Sequence, residues 1–265
     1  MKSLIPLSRT DAAVAAWGEA LRQIAAAEPR MLQYTGRHDT YMVFTGSPAD
    51  STNGVFTFGR SPDPVEIDQL ADRAAATALT FTEPVPWCIQ VRGRADDRIR
   101  AVADRHGLIQ SSWEPFLIRD LHTPGPRRDT GPVPQVLALA GAEFDGYVRA
   151  LSTGFEAPQE MFASLFTARV MDAPGITAYV AEVDGQPVAT AMTILTEDHI
   201  GVFNVSTAPD HRRRGYGAAL TEEIVSRGRA AGAETAYLRS TDMALPLYES
   251  LGFKVAEHWT YLTAA

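Results

Sequence analysis

The sequence predicts an α/β chain of two tandem halves, each a central mixed, mostly antiparallel sheet flanked by helices. Three observations predict it. Apolar spacings of two residues and of three to four residues alternate along both halves, as strands and helices require. The segment HTPGPRRDTGPVP, from His122 to Pro134, holds four prolines and two glycines, which remove backbone donors and disfavour both helix and strand. The ends of the two halves can also be laid over one another. The expected organisation is residues 1–121, a linker over 122–134, and residues 135–265.

The first half reads in order as follows. AAVAAWGEALRQIAAA, from Ala12 to Ala27, predicts a helix with Asp11 as its cap. TYMVFTG and NGVFTFG predict two strands joined as a hairpin. PVEIDQLADRAAATAL, from Pro64 to Leu79, predicts a helix with proline in its first turn. WCIQVRG predicts a strand, and ADDRIRAVADRHG a helix ending at Gly107. SWEPFLIRDL predicts a bent or interrupted strand, because Pro115 cannot donate to a ladder.

The second half follows a related order. VLALA predicts a strand, and AEFDGYVRALSTGF and PQEMFASLFTARVM predict two helices. ITAYVAEVDGQPVATAMTIL predicts a hairpin turning at Asp184 and Gly185. HIGVFNVSTAP is a strand ending at Pro209, and YGAALTEEIVSRGRAAG a helix with an apolar face. TAYLRST, MALPLYESLGF and KVAEHWTYLTA predict strand, short helix and strand. The stretch from WCIQVRG to FLIRDL overlays the one from TAYLRST to HWTYLTA, suggesting two copies of one plan. Trp113 and Trp259 fall at similar places in the two copies and are expected to pack in the core or between the halves.

Composition narrows the function classes. The formal net charge is -8, against the basic footprint of nucleic-acid binders. No apolar run approaches the roughly 18 residues that span a bilayer. MKSLIPLSRTDAA, interrupted by Pro6, Arg9 and Asp11, lacks the apolar core of a secretion signal, so a cytoplasmic protein without membrane partners is expected. The lone cysteine, Cys88, excludes an intrachain disulfide and sits in the apolar run VPWCIQV, where it is expected as a small core side chain. Six histidines, His38, His106 and His122 among them, show no short ligand spacing, so no metal is expected.

Chemistry concentrates in VFNVSTAPDHRRRGYGAALTEEI. A strand runs to Thr207 and Pro209 ends its ladder; Arg212, Gly215 and Gly217 follow in the spacing R-x-x-G-x-G at the start of a helix. Glycine permits positive φ and close backbone approach to a ligand. Free N–H groups at a helix start, with the helix dipole, make an anion site, and arginine adds charge-assisted bonds. The segment reads as a pyrophosphate cradle. No lysine followed by Ser or Thr comes after Gly217, and Leu220 stands where a dinucleotide fingerprint needs its third glycine.

The segment resembles the acetyl-CoA motif of the GNAT acyltransferase superfamily, R/Q-x-x-G-x-G/A between a strand and the next helix. LYESLGF, Leu247 to Phe253, resembles the superfamily's late helix with its tyrosine and Leu-Gly-Phe ending. The resemblance covers roughly 136–265. The first half resembles a degenerate GNAT domain more loosely: SPD stands where the glycine turn would be, and Ala103 falls opposite Tyr248, so no CoA site is expected there.

The resemblance implies acetyl-CoA as co-substrate and an amine of a small molecule as acceptor. It implies that Val205, Ser206 and Thr207 run beside the pantetheine arm as an added strand would. Arg213, Arg214, Gly215, Tyr216, Gly217 and Ala218 would line the pyrophosphate, with Arg212 in support. Thr241 stands where many relatives carry asparagine or serine near the cofactor. Tyr248 would protonate the leaving thiolate, since a phenol of pKa about 10 is protonated at neutral pH. Glu156, Glu160 and Asn204 are candidates to take the proton of the amine, Glu156 first. Two other readings stay open: a mycothiol-synthase-like acetylation of a thiol-precursor amine, and a CoA-binding protein without turnover. Tandem aminoacyl transferases also pair such domains, but they use charged tRNA, against which the acidity argues.

Overall fold

The computed structural model describes residues 8–123, 125 and 134–265, so most of the expected linker over 122–134 lies outside the described residues. Helix α1 spans Arg9–Ala27. Its cap is Ser8 rather than Asp11: the Ser8 hydroxyl accepts from the Asp11 N–H at 3.1 Å. Asp11 lies one turn further in, where its carboxylate meets Arg60 and Arg92 at 2.8 and 2.7 Å. Strand β1 (Leu32–Thr35) was not foreseen; all four residues are exposed, so no alternation betrays it. Strands β2 (Thr40–Phe44) and β3 (Gly54–Thr57) pair antiparallel as expected. Helix α2 (Pro64–Ala78) is capped by Asp63, β4 is Cys88–Arg92, and α3 (Asp97–Arg105) ends before Gly107 at φ +73°.

Strand β5 (Gln110–Asp120) runs unbroken through Pro115. The reason is local. The Pro115 carbonyl accepts from the Ser240 N–H at 3.1 Å, just past the last ladder pair, Arg239 with Phe116. In an antiparallel strand the N and C=O of one residue face the same neighbour. The missing N–H of Pro115 therefore falls where the neighbouring strand has ended.

The second half opens with β6 (Gln135–Leu139) and α4 (Phe144–Phe155). The single helix expected over residues 158–171 is instead two short ones, α5 (Glu160–Ala163) and α6 (Ala168–Met171). Thr167 starts the second one by accepting from the Val170 N–H, which a continuous helix would not allow. Strands β7 (Ile176–Val183) and β8 (Gln186–Thr196) join through Asp184 and Gly185, at φ +51° and +72° as a tight hairpin turn needs. Then come β9 (His199–Thr207), α7 (Tyr216–Ala230), β10 (Thr235–Arg239), α8 (Leu245–Ser250) and β11 (Lys254–Thr263).

All these strands form one mixed sheet, in the order β1-β2-β3-β4-β11-β5-β10-β9-β8-β7-β6. The two halves exchange their final strands. β5 pairs with β10 of the second half, β11 pairs with β4 of the first, and β5 and β11 pair with each other. Trp259 is fully buried and stacks on Phe116 at 4.5 Å. Trp113 is on the surface side, 42% exposed and stacked on His258. The repeat does not give them equal surroundings, because Trp259 lies opposite Glu114 and not Trp113. Trp17 of α1 meets the rings of Phe116, Phe203, Tyr237 and Trp259 at 5.0 to 6.2 Å, so one core joins both halves. Cys88 is fully buried, and burial pushes its thiol well above the ordinary range, as befits a core side chain.

Candidate active site

The site begins where β9 and β10 part. Their parallel ladder holds only His199 to Gly201 against Thr235 to Tyr237, although β9 continues to Thr207 and β10 to Arg239. The wedge between them opens into a cleft of about 290 Å³. Val205, Thr241, Ala244 and Tyr248 all line it.

A bulge shapes the β9 wall. Thr190 pairs with Ser206 and Met192 with Phe203, so β9 holds one residue more than β8 between these pairs. The extra residue falls at Asn204–Val205, and Asn204 adopts φ +55°, a conformation asparagine tolerates better than most residues. The Asn204 amide donates to the Tyr147 hydroxyl at 3.4 Å, and Thr190 Oγ1 donates to the Asn204 carbonyl at 3.1 Å. Asn204 thus holds the bulge. A bulge frees backbone groups from the ladder and turns them toward the cleft.

The glycine turn lies at the end of β9. Gly215 caps α7 at φ +88°, and Arg213 before it stands at φ +61°. No side chain caps α7, so its first N–H groups have no side-chain acceptor at the cap. Arg213 and Arg214 are exposed and form no ion pair among the described residues. A Cβ on Gly217 would stand 3.1 Å from the Thr207 hydroxyl, so the helix start lies tight against the end of β9. Tyr216 and Ala218 are 6% exposed and their side chains belong to the core, so only their backbone can face a ligand.

Three expected contributors, Glu156, Ser206 and Glu160, sit differently from expectation. Glu156, the first candidate base, does not line the cleft; it ends α4 at φ +54° and pairs with Arg212 at 2.6 Å. Arg212 also donates to the Gly154 carbonyl at 3.0 Å and the Thr207 carbonyl at 3.2 Å, so it braces α4 against β9 and supports the turn rather than lining it. The Ser206 side chain is buried against Gly154 and shares a 2.7 Å hydrogen bond with Thr190, which turns it out of the cleft. Glu160 is exposed on α5 and lines neither the cleft nor the chamber beside it.

Tyr248 is 6% exposed, and its ring meets Phe253 edge-on at 6.0 Å. Burial pushes its hydroxyl up to about 12. The phenol therefore stays protonated at any physiological pH.

Other cleft residues escaped the sequence reading. Glu114 of β5 and Trp17 of α1 come from the first half, and Arg239 ends β10. Arg239 Nε forms an ion pair with the Glu114 carboxylate at 3.1 Å, and its guanidinium lies 4.6 Å from the Tyr261 ring centre. A charged residue in an apolar strand, as in TAYLR, was the available signal for Arg239; none pointed to Glu114 before the strand exchange was known. Among the described residues, Asp68, Asp72 and His106 also cluster at metal-ligand spacing on α2 and just after α3, with Asp68 paired to Arg105.

Comparison with known proteins agrees with this geometry. Residues 174–255 match the family model described as an acetyltransferase (GNAT) domain. The [ribosomal protein bS18]-alanine N-acetyltransferase of Escherichia coli K12 is 37% identical over 76 residues, which are 28% of this chain and 51% of that protein. The chain thus spans about half the length of the curated relatives it matches. Among solved structures, a GCN5-related N-acetyltransferase from Kribbella flavida superposes with a TM-score of 0.66 at 18% identity, covering 95% of both chains. A functionally unknown protein from Staphylococcus epidermidis gives 0.61 at 12% identity, covering 89% of this chain and 94% of that one. The two solved structures extend the likeness of fold over both halves, and the match to the acetyltransferase (GNAT) family model lies within the C-terminal half, over residues 174–255.

Proposed function

We propose that this chain is an acetyl-CoA-dependent N-acetyltransferase that acetylates a primary amine of a small molecule by direct attack. The observation that supports it best is the cleft that the β9 bulge and the buried, hydroxyl-bearing ring of Tyr248 line together, on the strand that leads into the glycine turn at the start of α7. In this reading the turn from Arg213 to Ala218 holds the pyrophosphate with backbone N–H groups and two free guanidinia. The bulge at Asn204–Val205 offers the Val205 N–H to the thioester carbonyl oxygen as charge develops there. Acetyl-CoA supplies the acyl group. A neutral amine nitrogen bonds to the carbonyl carbon, the carbon–sulfur bond breaks, and Tyr248 gives its proton to the departing sulfur.

A small acceptor is favoured over a protein terminus, although the matched relatives are named for a ribosomal protein. The first half packs across the acceptor end of the cleft, where Trp17 and Glu114 form part of its wall. In this reading the first half, expected over residues 1–121, serves the acceptor site and has no CoA site of its own. The test is calorimetric titration with acetyl-CoA of the native chain and of Gly217→Trp. Micromolar binding to the first and none to the second supports the reading; no binding to the native chain ends it.

A further inference from the structure

A second cavity lies beside the cleft. This chamber has a volume of about 140 Å³ and shares Trp17, Phe203, Asn204 and Arg239 with the cleft. Its walls are otherwise mostly apolar side chains from both halves, including Ile24, Val43 and Phe166. An apolar cavity of about 150 Å³ takes up a benzene-sized group. Arg239 lines both the cleft and the chamber, and its partner Glu114 lines the cleft. Both side chains are partly accessible, at 24% and 28%, and both face the cleft that Tyr248 lines.

These features constrain the acceptor through charge and shape. The pair is neutral as a whole, so it presents one cation and one anion side by side. A polyamine would meet Arg239 with like charge, and a polyhydroxylated amine would desolvate its hydroxyls against the chamber walls. An ammonium beside a carboxylate, on a carbon bearing a compact apolar group, matches all three elements.

We propose that the acceptor is a free α-amino acid with a medium-sized apolar side chain. This inference rests on the acetyltransferase reading and specifies its acceptor. The carboxylate pairs with Arg239, whose guanidinium can hold it through two N–H groups. The side chain fills the chamber between the halves. The ammonium lies beside Glu114, which takes one proton and leaves the amine neutral for attack. The balance is complete. One ammonium proton goes to Glu114 and on to water. A second leaves the nitrogen as the amide forms and restores Tyr248, which has protonated the CoA sulfur. The third remains on the amide nitrogen. Glu114 acts here from the exchanged strand, so the first half would supply the proton acceptor of a reaction whose acyl donor is held by the second.

The experiment uses the full chain with acetyl-CoA and reads CoA thiol release together with the mass of the N-acetyl product. The probes are L-leucine, L-methionine and L-phenylalanine, their carboxamides, the corresponding decarboxylated amines, and spermidine. At least tenfold higher kcat/KM for a free amino acid than for its carboxamide is expected, with spermidine inert. Arg239→Gln should raise KM for the amino acid at least tenfold and erase the preference over the carboxamide. Glu114→Gln should lower kcat at least tenfold while leaving KM within threefold. Should Arg239→Gln fail to fold, the comparison of acid with carboxamide in the native chain decides alone. Equal rates on acid and carboxamide, or turnover of spermidine but no amino acid, overturn the proposal and leave the acetyltransferase reading standing. Absence of acetyl-CoA binding overturns both.

Discussion

At the scale of single residues the site divides into groups that face the cleft and groups that hold those in place. Tyr248 faces it. Tyr248→Phe removes one proton donor and little volume, so kcat should fall about 100-fold or more, the usual range for a positioned acid. Acetyl-CoA affinity should stay within about threefold by calorimetry. Equal turnover in the two proteins would remove Tyr248 from the mechanism. Because burial raises the Tyr248 hydroxyl from about 10 to about 12, kcat should show no alkaline loss assignable to Tyr248 up to pH 10.5. The linked stability has the same sign. A group whose pKa is higher in the folded state stabilises the fold fully below its unfolded pKa, and that contribution is lost as pH rises through 10 to 12. Tyr41, also pushed to about 12 by burial, adds to the same window. Urea midpoints measured from pH 8 to 12 should therefore fall most steeply above 10; a flat profile there contradicts the burial of these hydroxyls.

At the scale of elements the strand-to-helix turn carries the most specific backbone geometry. Gly215 stands at φ +88° with open space where a Cβ would be, so strain and not collision decides what a side chain costs. A β-branched residue there costs about 1 to 3 kcal/mol. Gly215→Val should weaken acetyl-CoA binding at least tenfold by moving the α7 N–H groups, and lower Tm by a few degrees. Unchanged affinity would show that the turn does not shape the anion site. The elements also show what was legible. The hairpin at Asp184–Gly185 and the helix after Gly215 follow from turn and cap chemistry that acts over a few residues. The break between α5 and α6 and the cap at Ser8 turned on which of several nearby Ser, Thr and Asp side chains reaches a backbone N–H, and spacing alone does not rank them.

At the scale of the whole molecule the exchange of β5 and β11 makes the halves interdependent. Residues 8–123 alone would leave β4 without its neighbour β11, and residues 134–265 alone would lack β5 between β10 and β11. Exposed apolar edges of this kind favour aggregation. The separately expressed halves should be insoluble or unfolded by circular dichroism, and co-expression should restore a one-to-one complex; a folded, monomeric second half would refute the interdependence. Arg92 fastens the same seam. Its guanidinium is 5% exposed and bonds Asp11 of α1 and Glu257 of β11 at 2.7 Å each. Arg92→Met leaves Glu257 without its cation and Asp11 with Arg60 alone, and should destabilise the chain by about 3 kcal/mol in urea unfolding. A loss below about 1 kcal/mol would mean that the carboxylates find water instead.

The sequence by itself determined the α/β class, the order of most elements and the cradle of Gly215 and Gly217. These depend on periodicity, caps and turn chemistry, which act within a few residues of one another. It also set Tyr248 on the short helix before Leu-Gly-Phe. Tertiary structure alone decided that the halves share one sheet, that Glu156 is held by Arg212, and that Glu114, Trp17 and Arg239 meet in the cleft that Tyr248 lines. The physical reason is sequence separation. Glu114 and Arg239 lie in different halves and come to 3.1 Å only because β5 inserts beside β10. Strand partners so far apart in the chain are chosen by the burial of Trp17, Phe116 and Trp259 in one common core, and no local pattern records that choice.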